Sequence, residues 1–326
     1  MDYDNEGFPI SSLREISILK TLRHENIVRV YEVVVANGLE NIFMVMEYCE
    51  QDMAYLMDNV MSRNPSNAYK PMEVKCLLNQ LLDGVDFLHR KSIIHRDLKL
   101  SNLLLTSKGI LKIADFGLAR KFDNSTEFMT PKVVTLWYRA PEVLLGSTTY
   151  CESIDMWSVG CIFGEFLKSE PLLPGSNEPQ QLMNICKLLG TPVPSIWPDM
   201  VNLPLYKSIK LPYFENDSIK SVFRNETSMT HDLLRSFLDY NPKRRITSSE
   251  ALNHPYFTEN PKMCSPVMLP TYPEFRNDKV DSSVSQNYSQ APAENHKEQS
   301  SRLKRLRPSD SKYDDMLNHG YRFDMK

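Results

Sequence analysis

This sequence predicts an α+β fold in which one helix and about two strands precede a predominantly helical body. Three observations carry that expectation. Two runs rich in β-branched and aromatic residues, IVRVYEVVV (27–35) and IFMVMEY (42–48), are separated by ANGLEN around Gly38, the pattern of a hairpin. From Pro71 to Arg90 the apolar residues Val74, Leu77, Leu78, Leu81, Leu82, Val85 and Leu88 recur at helical spacing behind a proline, which suits a first turn. ESIDMWSVGCIFGEFLK (152–168) has the length of a helix but is nearly apolar throughout, so it belongs in a core.

Ahead of the strands, PISSLREISILK (9–20) reads as a helix whose only acid, Glu15, lies among apolar residues. At about 100° per residue, Ile18, Leu19 and Leu22 share the side of Glu15, while Ile10, Leu13 and Ile16 lie on another. One face can pack on the protein's own sheet. The other needs a second surface, supplied by a partner or by the same domain. Behind the long helix, HRDLKLSN forms a loop, LLL a strand, and SKG a hairpin turn leading into LKIAD, which ends at Asp115. Composition shifts near residue 258, where proline, serine, asparagine and charge take over; 258–326 is expected to be a disordered tail.

Composition narrows the function classes. The net charge of −3 is close to balance, which leaves no global footprint for direct nucleic-acid or membrane binding. The start MDYDNEG has no apolar leader core, and no apolar run approaches membrane-spanning length. Six cysteines without a CxxC spacing suit reduced thiols rather than disulfides or zinc. A soluble intracellular protein is the expectation.

IIHRDLKLSNLLLTSKGILKIADFGLAR (93–120) carries the chemistry. Alone, an aspartate beside an arginine is usually a surface pair. Here Asp97, Lys99 and Asn102 share one loop, and the hairpin brings a second carboxylate, Asp115, beside it. Phosphoryl transfer needs an acceptor for a hydroxyl proton, a lysine for the moving phosphoryl group, and hard oxygen ligands for magnesium. APE follows at 140–142, in the order such sites show.

These motifs resemble the eukaryotic protein kinases, and the resemblance runs from Pro9 to about Phe257. It implies a kinase domain over 1–257, with a small lobe at 1–48, a large lobe at 49–257, and ATP and Mg2+ as cofactors. By resemblance, Asp97 is the catalytic base, Lys99 steadies the γ-phosphate, and Asn102 and Asp115 hold magnesium. Met46 corresponds to the gatekeeper, the backbones of Glu47 and Cys49 to the adenine edge, Asp52 to the ribose contact, and Leu104 to the pocket floor. Glu142 should pair with Arg245, and Asp155 should brace the catalytic loop.

VVTLWYRAPE (133–142) and LLGTP (188–192) are similar to the cyclin-dependent kinase group, and PISSLRE occupies the place of that group's cyclin-binding helix. A cyclin is therefore the implied partner, through Ile10, Leu13 and Ile16. Val134, Thr135 and Arg139 would line the substrate channel: Thr135 as a contact to Asp97, and Arg139 as a cap on a backbone carbonyl that favours Ser/Thr-Pro substrates. Thr130 stands where the family is phosphorylated, with Arg14, Arg96 and Arg120 as receptors. A phosphate there brings about −1.5 to −2 charge, which arginine forks can share. Control of the cell cycle or of transcription is the expected setting.

One departure stands out. Active kinases pair the acid at Glu15 with a strand lysine, behind a glycine-rich loop. No G-x-G-x-x-G occurs here, and of eleven glycines only Gly7 precedes Gly38. Glu15 is thus an orphaned ion-pair acid, and the expectation is a kinase domain lacking its first strands, by truncation, an internal start or a short isoform. Two classes stay open: a cyclin-dependent Ser/Thr kinase, which is the reading adopted, or a catalytically weak or inactive form that acts as a cyclin-binding protein.

RLKRLR (302–307) gathers four basic residues in the tail. The hypothesis is residence in nucleus as well as cytoplasm, because such clusters serve as import signals. Replacing Lys304 and Arg305 by alanine is expected to move a fluorescent fusion toward the cytoplasm. An unchanged distribution would mean that the run is only a solvated charge cluster.

Overall fold

The computed structural model describes residues 16, 18–36, 41–61, 68–122 and 134–270. Ile10, Leu13, Arg14, Glu15, Thr130 and the basic run 302–307 lie outside the described residues. Residues 18–21 are helical, with Ile18, Leu19 and Leu22 buried and Ile16 half-buried. The inward side is the one that the helical periodicity assigned.

Strand β1 (Val30–Ala36) pairs antiparallel with β2 (Asn41–Met46), opposing Val33 to Met44 and Val34 to Phe43. The first strand begins later than the apolar run at Ile27 suggests. Residues 26–28 run instead beside a strand of the large lobe: Ile113 N–H donates to Asn26 O at 2.8 Å, and Val28 N–H to Ile113 O at 3.0 Å. Asn26 explains the diversion, since its amide donates to Leu111 O at 2.9 Å and Gln80 Oε1 at 3.2 Å. A buried polar side chain goes where it can be satisfied.

The body is built on α1 (Pro71–Arg90) and α2 (Ser153–Lys168). Proline opens α1, and Lys70 N–H is capped by Glu73 Oε2 at 2.8 Å. Gly84 lies in the helix interior, a position that costs stability. A Cβ there would stand 2.8 Å from Ile113 Cδ1 and 3.1 Å from Asn26 O, so the small residue admits the crossing segment. Buried residues cover nearly the whole of α2, as its apolar sequence requires. Of two further helices, α3 (Glu178–Leu189) packs against residues 136–138 and 141–144, and α4 (Ser228–Phe237) packs on α2.

Short strands assemble the site. β3 (Gln51–Asp52), β5 (Leu103–Leu105) and β6 (Leu111–Ile113) form one antiparallel sheet, with β5 and β6 joined through SKG. β4 (Ile93–Ile94) pairs with β7 (Arg120–Lys121). No helix among the described residues is long and apolar enough to cross a membrane.

The structure corrects the tail boundary. Order was expected to stop at 258, yet residues 258–270 pack on the body, with Cys264 and Leu269 buried. Lys75, itself buried on α1, donates to Glu259 O at 3.0 Å and Pro261 O at 2.9 Å, and its ammonium lies 4.8 Å from the Tyr256 ring centre. Cys264 N–H donates to Met72 O at 3.2 Å. Average polarity concealed two apolar anchors and one buried lysine that satisfies the backbone between them.

We predict that this segment contributes to stability. A chain ending at Phe257 is expected to melt below one ending at Pro270, and Lys75→Met below wild type. Orphaning buried carbonyls costs about 1–3 kcal/mol, or about 2–4 °C of Tm per kcal/mol for a domain of this size. Equal thermal midpoints for the two chain lengths would show that the packing contributes nothing.

Candidate functional site

The site is assembled around a buried carboxylate. Asp155, in the first turn of α2, accepts the backbone N–H of His95 at 2.8 Å on Oδ2 and that of Arg96 at 2.9 Å on Oδ1. His89 Nε2, from the end of α1, lies 3.0 Å from Oδ2. Burial alone would raise the Asp155 pKa. The hydrogen bond and charge of His89, with the backbone N–H of His95, outweigh it and hold the carboxyl below its ordinary value.

This brace lets Arg96 adopt φ +66°, the left-handed region that a branched or bulky side chain rarely occupies. The turn aims the next residue, Asp97, into the site. Asp97 N–H donates to His95 Nδ1 at 3.3 Å, which assigns the ring proton to Nε2, 3.1 Å from Ala114 O. His95 thereby ties the loop to the strand end that carries Asp115. Its ring also meets Phe116 edge-on at 4.9 Å.

Three side chains converge on the Asp97 carboxylate. Oδ1 accepts Thr135 Oγ1 at 2.9 Å and Thr135 N–H at 3.2 Å. Oδ2 accepts Lys99 Nζ at 2.7 Å and Asn102 Nδ2 at 3.1 Å. Asn102 Nδ2 also donates to Asp97 O at 2.8 Å, and Lys99 Nζ to Thr135 Oγ1 at 3.2 Å. With the nitrogen of Asn102 so engaged, its amide oxygen is the group left for a cation.

Asp115 follows β6 at φ +61°, exposed, with Gly117 N–H on its Oδ1 at 3.2 Å. Among the described residues no group of three or more His, Cys, Asp or Glu could hold a metal by itself. A carboxylate and an amide oxygen do fit magnesium, a hard ion that keeps water and phosphate in its shell.

The other expected residues fall into three groups. Met46, Cys49 and Leu104 share a small apolar cluster with Val28 and Ala114. Glu47 N–H donates to Arg29 O at 2.8 Å, its side chain pairs with Lys112 at 2.8 Å, and Asp52 Oδ1 caps the turn after β3 through Ala54 N–H at 2.8 Å. Arg96 and Arg120 are drawn together by the pairing of Ile94 with Arg120. Arg96 donates through Nε to Leu118 O at 2.6 Å and through Nη1 to Tyr150 Oη at 3.2 Å. Burial raises the Tyr150 pKa, while the Arg96 and Arg120 charges both oppose the rise.

In the third group, Val134 stands at φ +68°, and its carbonyl accepts Arg139 Nε at 3.2 Å and Nη2 at 3.0 Å. Glu142 and Arg245 form a buried two-pronged pair at 2.8 and 2.9 Å. Sequence reasoning missed His89, Tyr150 and Glu178, the last of which holds Arg139 Nη1 at 2.8 Å. Each is a common residue far from its partner in the chain, with no local pattern to announce it.

Comparison with known proteins gives a consistent picture. Residues 2–257 match the protein kinase domain family. The mouse protein named cyclin-dependent kinase 10 is 51% identical over 280 residues, covering 85% of this chain and 76% of that protein. Cyclin-dependent kinase 11 of Dictyostelium discoideum is 46% identical over 273 residues, covering 84% and 75%. The crystal structure of the yeast RNA Pol II CTD kinase CTDK-1 complex aligns with a TM-score of 0.74 at 37% identity, covering 81% of this chain and 86% of that one.

The brace predicts an acid sensitivity. Because Asp155 lies below its ordinary pKa when folded, it favours folding above roughly pH 4, where the unfolded carboxyl is already ionised. That contribution is lost as pH falls through the lower folded value. Asp155→Asn is expected to lower stability by about 1–3 kcal/mol near neutrality, since one loop N–H loses its acceptor. It should also flatten the acid limb of a stability–pH profile. Parallel profiles for variant and wild type would rule out this linkage.

Proposed function

From the premise that the chain belongs to the protein kinase family, in its cyclin-dependent group, we propose that it phosphorylates serine or threonine followed by proline, under the control of a bound cyclin. The chain is a Ser/Thr protein kinase, and ATP and a divalent metal ion come with that family. The single observation that carries the reading is the Asp97 carboxylate, with one oxygen on Thr135 and the other on Lys99 and Asn102.

Each part has a task. Asp97 orients the substrate hydroxyl and accepts its proton as the oxygen bonds to the γ-phosphorus and the bond to ADP breaks, releasing ADP. Lys99, already within the cluster, turns its ammonium to the γ-phosphate. Asn102 and Asp115 would hold magnesium, which when bound would neutralise charge on the phosphates. Met46, Cys49 and Leu104 present an apolar slot for the adenine, beside the backbones of Glu47 and Cys49, with Asp52 toward the ribose. The apolar cluster that they form supports this assignment.

Partner and control follow the same logic. Ile18, Leu19 and Leu22 are committed inward, so Ile10, Leu13 and Ile16 are proposed as the cyclin face. Relatives of this chain are named cyclin-dependent kinases. Arg96 and Arg120, with Arg14, are proposed as receptors for phosphate on Thr130. Action in transcription or the cell cycle, in nucleus and cytoplasm, completes the proposal.

The test uses the full chain co-purified with a cyclin, ATP, magnesium and a Ser-Pro peptide. Asp97→Asn is expected to lower kcat by about 10²-fold or more, the scale of a lost general base. Leu13→Asp should sharply reduce cyclin recovery, because it places a charge in an apolar contact. An Asp97→Asn enzyme as fast as an active wild type would refute the catalytic assignment, no turnover by wild type would favour the cyclin-binding form instead, and undiminished cyclin recovery would refute the docking face.

A further inference from the structure

We infer that Glu178 is a positioning residue for substrate selection, holding Arg139 so that the Val134 carbonyl stays closed to a substrate N–H. The inference rests on the proline-directed reading above and adds a residue to it. Arg139 uses one edge of its guanidinium, Nε and Nη2, on Val134 O at 3.2 and 3.0 Å. Its remaining terminal nitrogen, Nη1, donates to Glu178 Oε1 at 2.8 Å. The carboxylate therefore opposes rotation of the planar fork away from the carbonyl.

Glu178 does not reach that position through the ion pair alone. It is the first residue of α3, whose approach is pinned to the segment of Arg139 by independent bonds. Trp137 Nε1 donates to Gly175 O at 2.9 Å, and Gln181 Nε2 to Trp137 O at 3.3 Å. Gln181 is fully buried, and its Oε1 accepts Gly175 N–H at 3.0 Å. Asn177 caps the helix through Gln180 N–H at 2.9 Å. The acid is thus presented to Arg139 by a rigid corner.

The consequence for substrate choice is a matter of satisfied donors. A carbonyl that already accepts two guanidinium N–H groups offers little to a third donor. A substrate residue with an N–H at that point would have it desolvated without a partner, whereas proline has none to lose. If the fork swings away, the Val134 carbonyl opens and the penalty on other residues falls. The Arg139 side chain is 13% exposed and that of Glu178 48%, so the pair itself contributes little to folding. Its effect belongs in the selectivity ratio.

Two peptides differing only in Ser-Pro against Ser-Ala decide the point, with the full chain bound to its cyclin. Selectivity is read as the ratio of kcat/KM values and, independently of turnover, as the ratio of peptide affinities by fluorescence anisotropy. Relative to wild type, Glu178→Ala is expected to lower the proline preference about twofold to fivefold, the scale of one partly exposed ion pair. Glu178→Lys should lower it further by repulsion, and Glu178→Gln less, because the amide oxygen still accepts. In an Arg139→Ala background the Glu178 changes should have no additional effect. Melting curves identify any variant that fails to fold, and the nearly isosteric Gln variant keeps the comparison available. If wild type prefers proline and the Ala and Lys variants prefer it equally, the inference is wrong. If wild type shows no preference, the proline-directed reading fails first and takes the inference with it.

Discussion

The carboxylate of Asp155 is the joint on which the rest of the site depends. A loop cannot hold a left-handed arginine unless something other than its own backbone secures it, and the N–H groups of His95 and Arg96 both end on this one side chain. An ionised carboxylate in a core is costly unless hydrogen bonds and opposite charge surround it. Two backbone donors and His89 supply them here. Because α2 is buried along almost its entire length, the brace moves only if the core moves. Asp97 is thereby referenced to the centre of the large lobe rather than to a surface loop.

A related construction is found at two other strained positions near the site. Arg96, Asp115 and Val134 are non-glycine residues with φ between +61° and +68°, each unfavourable by roughly 1–3 kcal/mol. Asp115 binds the N–H two residues on, Arg139 holds Val134 from five residues on, and Asp155 holds Arg96 from a distant helix. Strain of this kind persists only where surrounding contacts over-determine it. Here it orients the side chains of Asp97 and Asp115 and the carbonyl of Val134.

Much of this was legible in the sequence, and the reasons differ by element. The stripe from Val74 to Leu88 and the apolar run from Ile154 to Phe166 are periodic signals, so α1 and α2 were placed closely. Asp97, Lys99, Asn102 and Asp115 stand in a short ordered motif, and the structure brings the first three together with Asp115 nearby. Strand β1 was anticipated too early, because Asn26 draws residues 26–28 onto β6 and no local pattern records that preference. The order of 258–270 was missed because composition averages over the few residues that anchor it, Lys75 among them from far away in the chain. His89, Tyr150 and Glu178 act through single contacts across long separations, which a linear reading does not register.

Two ion pairs separate the physics of folding from that of selection. Glu142 and Arg245 are almost fully buried; Arg245 also donates to Ser153 O and Asp239 O and lies 5.2 Å from the Trp157 ring. Removing one partner would strand a charge in the core, at about 3–5 kcal/mol. Arg139 and Glu178 meet at a similar distance but at the rim, where solvent screens the attraction and the net worth is about 0–1 kcal/mol. Distance alone would rank the pairs as equals; burial does not. The first secures the segment around Glu142 to the body of the large lobe. The second sits on that secured base, weak enough to leave folding untouched yet able to fix the orientation of one guanidinium. Selectivity can therefore be carried by contacts of small energy only because costly buried ones have already set the frame in which they act.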